Sequence, residues 1–402
     1  MYKLKNYWKL YLLLILPMLV ISLIYLRLVP FGQTPDEPAH IAYIKYIAEN
    51  HQIPTLEHLG LAHHPPFYYL LLTPVYMLTR NLLFLRLASL IFSLVNVLVI
   101  YQYTFFVFSK KADIAKGTAL ISSLIPMYAF MSIAVNNDSL SNLFASFIIY
   151  FSLIGLQRQL NKKEFILWCL LLFSSVFTKI VLFPIVFISI CLLFWHQKAK
   201  RKSILLSAIT LGLLLYILWF SRNIRLYGDG DILGWQALKK VNPDLVGNQL
   251  IRNSPRQWSV LFFHSFWGVF GWFAIYLPVM IYSALRKLTL LLFPFLVWYL
   301  VKIRKKLTGF QKKSLSLLCL FLSIVLAAII RDNFIFFHPS GRYLFPVIGI
   351  VALYYSLSIY SISLLVSRFI GKRFQKLIYY VFIILPLAYI NIISIIKVSS
   401  YF

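Results

Sequence analysis

The chain has 402 residues, of which 61% are apolar and only 12% are Asp, Glu, Lys or Arg, and its mean hydropathy is +0.81. Soluble domains carry about 25% charged residues, so this chain lacks the polar surface to face water on all sides; disorder, collagen repeats, coiled coil and a disulfide-stapled secreted domain are excluded. Its net charge of +28 would suggest nucleic acid in a soluble protein, but here the basic residues punctuate apolar runs, so membrane topology is the first reading and no nucleic-acid partner is expected.

In chain order, Leu10–Leu26 follows a basic start (Lys3, Lys5, Lys9) and reads as a retained anchor with its N-terminus in the cytoplasm. A first outer loop of roughly 27–86 follows, with Pro65–Thr79 lying along the outer face. The uncharged runs Leu87–Ser109, Gly117–Asn137 and Ser139–Gln157 match the roughly 20 residues a spanning helix needs. Phe165–Thr178 and Ile180–Trp195 read as two short spans joined at Lys179, and Ser203–Ser221 as a further crossing. A second outer segment, roughly 222–283, precedes the runs Leu288–Val301, Ser314–Ile330, Tyr343–Ser367 and Leu377–Ile396. Alternate connections are basic: Lys110/Lys111/Lys116, Arg158/Lys162/Lys163, Lys198/Lys200/Arg201/Lys202, Lys302–Lys313 and Arg368/Lys372/Arg373/Lys376. The positive-inside rule then gives an all-α polytopic protein of about eleven spans with its C-terminus outside. It is expected to be one integral domain of the cytoplasmic membrane over residues 1–402, with no separate soluble domain. Cys169, Cys191 and Cys319 sit inside apolar runs without metal-ligand spacing and read as buried packing.

The acids gather on the other side: Asp36, Glu37, Glu49, Glu57, Asp138, Asp229, Asp231, Asp244 and Asp332 all fall in outer positions. Asp36 and Glu37 start a helix bracketed by Pro35 and Pro38. His40 follows one turn on, and Ile41, Ile44, Ile47 and Ala48 form a stripe suited to the membrane surface. One acid is enough for a cap; two beside a bilayer cost solvation, which argues for chemistry. His63-His64-Pro65-Pro66-Phe67-Tyr68-Tyr69 ends the same loop. His40, His51, His58, His63 and His64 cluster there without zinc spacing, so orienting a ligand is preferred over binding metal. Asn136-Asn137-Asp138 reads as a helix cap carrying an acid level with Asp36. Lys179, the stretch Arg222-Asn223-Ile224-Arg225-Leu226-Tyr227-Gly228-Asp229, and His338-Pro339-Ser340-Gly341-Arg342-Tyr343 place cations at the outer rim, suited to phosphate oxygens.

In this order the residues resemble the GT-C superfamily of membrane glycosyltransferases, similar to protein mannosyltransferases and bacterial relatives that use lipid-linked sugars. The features are Asp36, Glu37 and His40; His64–Tyr69; Asn136–Asp138; Thr178-Lys179; Arg222–Asp229; Ser265–Trp272; and Gly341–Pro346. The resemblance implies a GT-C-like bundle with interfacial helices in the first outer loop. It also implies a hexosyl or pentosyl transferase, moving a sugar from a polyprenyl-phosphate carrier to a glycan, lipid or protein acceptor on the extracytoplasmic face. The base would be Asp36 first and Glu37 second, with inversion at the anomeric carbon. His40, His64, Asp138, Lys179, Arg222, Arg225, Tyr227, Arg342 and Tyr343 are the expected substrate-binding residues. A divalent cation, if one takes part, would sit on Asp36 and Asp138. A transporter or flippase of lipid-linked sugars and a non-catalytic envelope scaffold are the alternatives; no internal repeat supports the first.

Overall fold

A computed structural model describes residues 7–196, 199–228, 230–241, 254–335 and 337–402. Among them the protein is helical apart from one two-stranded hairpin. Its helices are α1 (Tyr7–Leu28), α2 (Glu37–Asn50), α3 (Phe67–Thr79), α4 (Leu82–Val107), α5 (Ala112–Leu124), α6 (Pro126–Met131), α7 (Asn137–Gln157), α8 (Lys162–Val176), α9 (Phe183–His196), α10 (Ala199–Tyr227) and α11 (Trp235–Val241). After α12 (Pro255–Gly268) come β1 (Val269–Phe270) and β2 (Ile275–Tyr276), paired antiparallel, then α13 (Val279–Ile303), α14 (Gly309–Ile335), α15 (Ile348–Ile370) and α16 (Gln375–Tyr401). Asp229, Asp244, Lys3, Lys5 and Lys198 lie outside the described residues.

Seven of the described helices are long and apolar enough to cross a membrane: α1, α4, α7, α13, α14, α15 and α16. Periodicity and charge predict about eleven spans; the other predicted runs fall in α5 with α6, α8, α9 and α10. Gly117–Asn137 is not one helix: Ile125, ahead of Pro126, takes the extended conformation favoured before proline, and a separate short helix starts at Pro126. The helices α8 and α9 are short, in keeping with the sequence. Residues 279–283 belong to α13 and not to the outer segment, so Arg286 and Lys287 lie within that helix.

One apolar cluster runs from Leu14 of α1 to Val398 of α16, with α4 packed between α5 and α7, and α15 against α5, α13 and α16. Many large apolar side chains are exposed, among them Leu78, Met280, Val301 and Leu385, a surface suited to lipid and costly in water. The protein is an integral membrane protein. Two sequence-based expectations change. Cys191 and Cys319 are exposed among the lipid-suited side chains and not packed in the core. The stripe Ile41, Ile44, Ile47 and Ala48 is buried with Tyr69, Leu72 and Tyr76 of α3, so it serves protein packing and not a membrane surface.

Candidate active site

The loop after α1 turns back at Gly32, whose positive φ (86°) suits glycine, and enters α2 through Asp36. Asp36 also has a left-handed backbone (φ 64°), a conformation that aspartate tolerates better than most residues. The two neighbouring acids leave this step in different directions. The Glu37 carboxylate is wholly buried and accepts from Arg86 Nε (2.7 Å), Arg86 Nη2 (2.6 Å), the Gly32 amide (2.8 Å) and the Val135 amide (3.3 Å). Arg86 completes the knot by donating to the Val29 and Pro30 carbonyls. A buried, bidentate, fully satisfied ion pair is structural: it ties the first loop to α4 and to the chain entering α7. Glu37 is therefore corrected from second candidate base to structural anchor. Its partner stands just ahead of the apolar run Leu87–Ser109, where it reads as an ordinary flanking cation.

Asp36 points the other way, into a cavity of about 840 Å³. Its Oδ2 accepts from Arg342 Nη2. Arg342 Nε lies 3.8 Å from Asp138 Oδ2, and Lys179 Nζ donates to Asp138 Oδ1. The guanidinium of Arg342 and the ammonium of Lys179 both lie over the Tyr343 ring, at 5.3 and 5.2 Å. Four distant parts of the chain thus meet in one cluster of two acids and two cations. The Arg342 side chain is only 7% exposed, yet its Nε and Nη1 have no hydrogen-bond partner among the described residues, and neither has Asp138 Oδ2. Buried orphans of this kind mark a place where a ligand completes the bonding.

Local chemistry explains how each group is held. Asn136 caps α7, accepting from the Asp138 amide (2.9 Å), and donates to the Pro35 carbonyl (3.3 Å), joining the first loop to the helix that carries Asp138. Asn137 donates to the Thr178 carbonyl (3.2 Å), fixing the turn that presents Lys179. Arg342 sits in a 3₁₀ turn, Gly341–Val347, that presses on α12: the Gly341 amide donates to Ser265 Oγ (2.8 Å), and Ser265 donates to the Pro339 carbonyl (3.0 Å). A Cβ at Gly341 would overlap the backbone of Phe262 and Phe266, so this close approach requires glycine. Both motifs stand out in the sequence, but the link between them is invisible until the chain folds.

Burial alone would raise the Asp36 carboxyl; Arg342, with His40 and Lys179, outweighs it and brings the group down to about 2. His40 stacks on Tyr69 and shares a hydrogen bond between its Nδ1 and the phenol oxygen (3.0 Å). Burial lowers the His40 imidazole to about 4 and drives His64 well below its usual range, so both are neutral near pH 7. His64 lines the cavity, with the His63 ring beside it at 4.4 Å between centroids.

Of the expected site residues, Asp36, His40, His64, Lys179, Arg342 and Tyr343 line this cavity, and Asp138 joins it through Lys179 and Arg342. Arg222, Arg225 and Tyr227 do not line it. Arg222 donates to the Pro54 carbonyl (2.6 Å) and covers Trp219, bracing the first loop. Arg225 is exposed, and Tyr227 packs beside Leu56, Ala62 and Leu238. Asp231 caps α11, accepting from the Trp235 and Ala237 amides. Asp36 and Asp138, the pair that would hold a divalent cation if one took part, both face the Arg342 guanidinium, and no group of three or more His, Cys, Asp and Glu side chains among the described residues is placed to hold a metal. Trp272, Arg331, Asp332 and His338 also line the cavity and complete its rim.

No curated protein matches this chain. Residues 63–224 match the family model of dolichyl-phosphate-mannose-protein mannosyltransferases, a segment that contains His64, Asp138 and Lys179 but neither Asp36 nor Arg342. Among solved structures, the oligosaccharyltransferase AglB from Archaeoglobus fulgidus, in complex with an inhibitory peptide and a dolichol-phosphate, aligns with a TM-score of 0.53 at 12% identity, over 98% of this chain and 56% of that one. The chain thus spans about half the length of that archaeal protein. ArnT from Cupriavidus metallidurans bound to undecaprenyl phosphate aligns with a TM-score of 0.51 at 13% identity, over 97% of this chain and 77% of that one. The chain thus shares the fold of these two proteins, and its residues 63–224 carry the mannosyltransferase match.

Proposed function

We propose that the protein transfers a sugar from a polyprenyl-phosphate carrier to an acceptor hydroxyl on the extracytoplasmic face, with inversion and with Asp36 as the general base. One observation carries the reading: Arg342 is buried at the wall of a large cavity with two unsatisfied donors, beside the carboxylate of Asp36. A planar fork with free N–H groups suits a phosphate, and dolichol-phosphate and undecaprenyl phosphate are the lipids bound by the two structurally similar proteins.

In the proposed reaction the acceptor oxygen attacks the anomeric carbon from the face opposite the phosphate. The bond from that carbon to the phosphate oxygen breaks, the acceptor proton passes to Asp36, and polyprenyl phosphate leaves with the bonding electrons. Arg342 and Lys179 hold it more tightly as its charge grows. A carboxylate at about 2 is a poor base while Arg342 holds it. A donor phosphate that draws the guanidinium away removes the largest influence holding Asp36 down, so donor binding readies the base. Neutral His40 and His64 supply hydrogen-bonding groups to substrate hydroxyls without adding charge. The basic flank of α1 supports a cytoplasmic N-terminus, and residues 1–402 are read as one membrane domain.

The test is Asp36→Asn, which keeps shape and removes the base. Cells carrying it at normal abundance should lack a sugar in their envelope glycans, measured by mass spectrometry. Glycans identical to those of wild-type cells would refute the assignment.

A further inference from the structure

The hairpin β1–β2 turns through Gly271, Trp272 and Phe273, all three with positive φ (55°, 57° and 66°). Glycine adopts this conformation freely; tryptophan and phenylalanine do so against steric cost. The turn is nonetheless firmly seated. Tyr282 donates to the Gly268 carbonyl and accepts from the Leu277 amide (3.0 Å), and the Ala274 amide donates to the Phe270 carbonyl (3.1 Å). The result is an indole that is 50% exposed and lines the same cavity as Asp36. Its Nε1–H donates to the Gly32 carbonyl (3.1 Å), four residues before Asp36, which locks the ring plane to the loop that carries the base. Packing does not explain this, since half of the residue's surface is left uncovered. A membrane-interface anchor does not explain it either, because such a tryptophan turns its N–H toward headgroups, whereas this one is satisfied within the protein.

We propose that Trp272 is the stacking platform for a pyranose ring in the cavity. The C–H bonds on the apolar face of a sugar carry slight positive charge and match the negative face of the indole. Asp332 and His338, which line the same cavity, are polar groups suited to the ring's hydroxyls. The ring belongs either to the donor's sugar or to a sugar of the acceptor; both present this face. This role rests on the glycosyl-transfer reading of the cavity.

The experiment is ligand-observed saturation-transfer NMR on the purified full chain in nanodiscs. The probes are methyl glycosides of glucose, galactose, mannose and N-acetylglucosamine, with cyclohexanol as control. Wild-type protein should saturate the ring-face protons of at least one glycoside, and Trp272→Gly should reduce that signal about fivefold or more, while Trp272→Phe retains part of it. Glycine relieves the left-handed backbone, so W272G should melt at or above the wild-type temperature, separating lost stacking from lost folding. Displacement of the glycoside by undecaprenyl-phosphoglucose assigns the platform to the donor's sugar; persistence assigns it to the acceptor's. No saturation of any glycoside, saturation of cyclohexanol to the same degree, or equal saturation in W272G and wild type overturns the proposal. Asp36→Asn is run alongside and should keep the NMR signal. Sugar transfer by that variant would remove Asp36 as the base, and it would leave the stacking result to stand or fall on its own data.

Discussion

Glu37 with Arg86 and Asp36 with Arg342 are acid–arginine pairs whose acids are adjacent in the chain, and their surroundings are opposite. The first pair is closed: both side chains are at most 1% exposed, and the carboxylate accepts four hydrogen bonds. The second is open: the acid is 37% exposed to the cavity and the arginine keeps two donors unsatisfied. A charge that is fully paired in a buried place holds the fold; a charge that is buried yet incompletely paired is waiting for a ligand. The distinction depends on where each partner sits, and neighbouring positions in sequence carry no hint of it.

The comparison can be broken at either pair. The largest expected effect is from Arg86→Ala, which strands the Glu37 carboxylate without a countercharge and should cost about 3–5 kcal/mol of stability. Thermal unfolding and purified yield would show it, and a variant that melts like wild type would mean the closed pair is not structural. Gly341→Ala comes next. Its methyl group meets the backbone of Phe262 and Phe266 and should cost about 1–3 kcal/mol as the turn bearing Arg342 is pushed out, and sugar transfer should fall with it. Wild-type melting and transfer in G341A would mean the joint with α12 does not position the arginine.

A pH series gives a smaller, graded effect with a definite sign. Burial lowers His40 and His63 to about 4, whereas in the unfolded chain they titrate near 6.5. The unfolded state therefore takes up protons that the folded state refuses, and the melting temperature should fall as pH drops from about 6.5 toward 4. Asp36 has a different window: with its group at about 2, its contribution is present above about 4 and is lost only below that, so it leaves the region near 6 unchanged. Substituting His40 by Gln should flatten the slope; an unchanged slope would place the titration elsewhere. Smallest of all, Arg225→Ala should change neither transfer nor melting, because that side chain is exposed and lies off the cavity. A clear loss of transfer in R225A would put the phosphate-binding side of the site in the wrong place.

Much of the architecture is legible in the amino acids. The apolar runs and basic turns give the helical membrane fold, because lipid leaves few alternatives for a backbone. Asp36, His64, Asp138, Lys179 and Arg342 stand out because charged and polar residues at the ends of apolar runs need a reason. What stays hidden depends on contacts far apart in sequence. Arg86 reads like any flanking cation until it is seen 49 residues from Glu37 in a buried pair. Ser265 and Gly341 make one joint across 76 residues. Arg222 and Arg225 carry the same rim signal as Arg342, but the first is spent on loop carbonyls and the second faces outward. The break at Pro126 shows the reverse case, an apolar run that reads as continuous but stops at the extended Ile125, where the helix restarts at the proline.

The central claim is that the open donors of Arg342 meet a lipid phosphate, and binding of undecaprenyl phosphate to the purified full chain measures it most directly. Arg342→Lys keeps the charge but loses the fork. It should bind the lipid about tenfold more weakly than wild type, a difference of about 1.4 kcal/mol, while melting within a few degrees of it. Wild-type affinity in R342K and in Arg342→Gln, with both folded, would contradict the account.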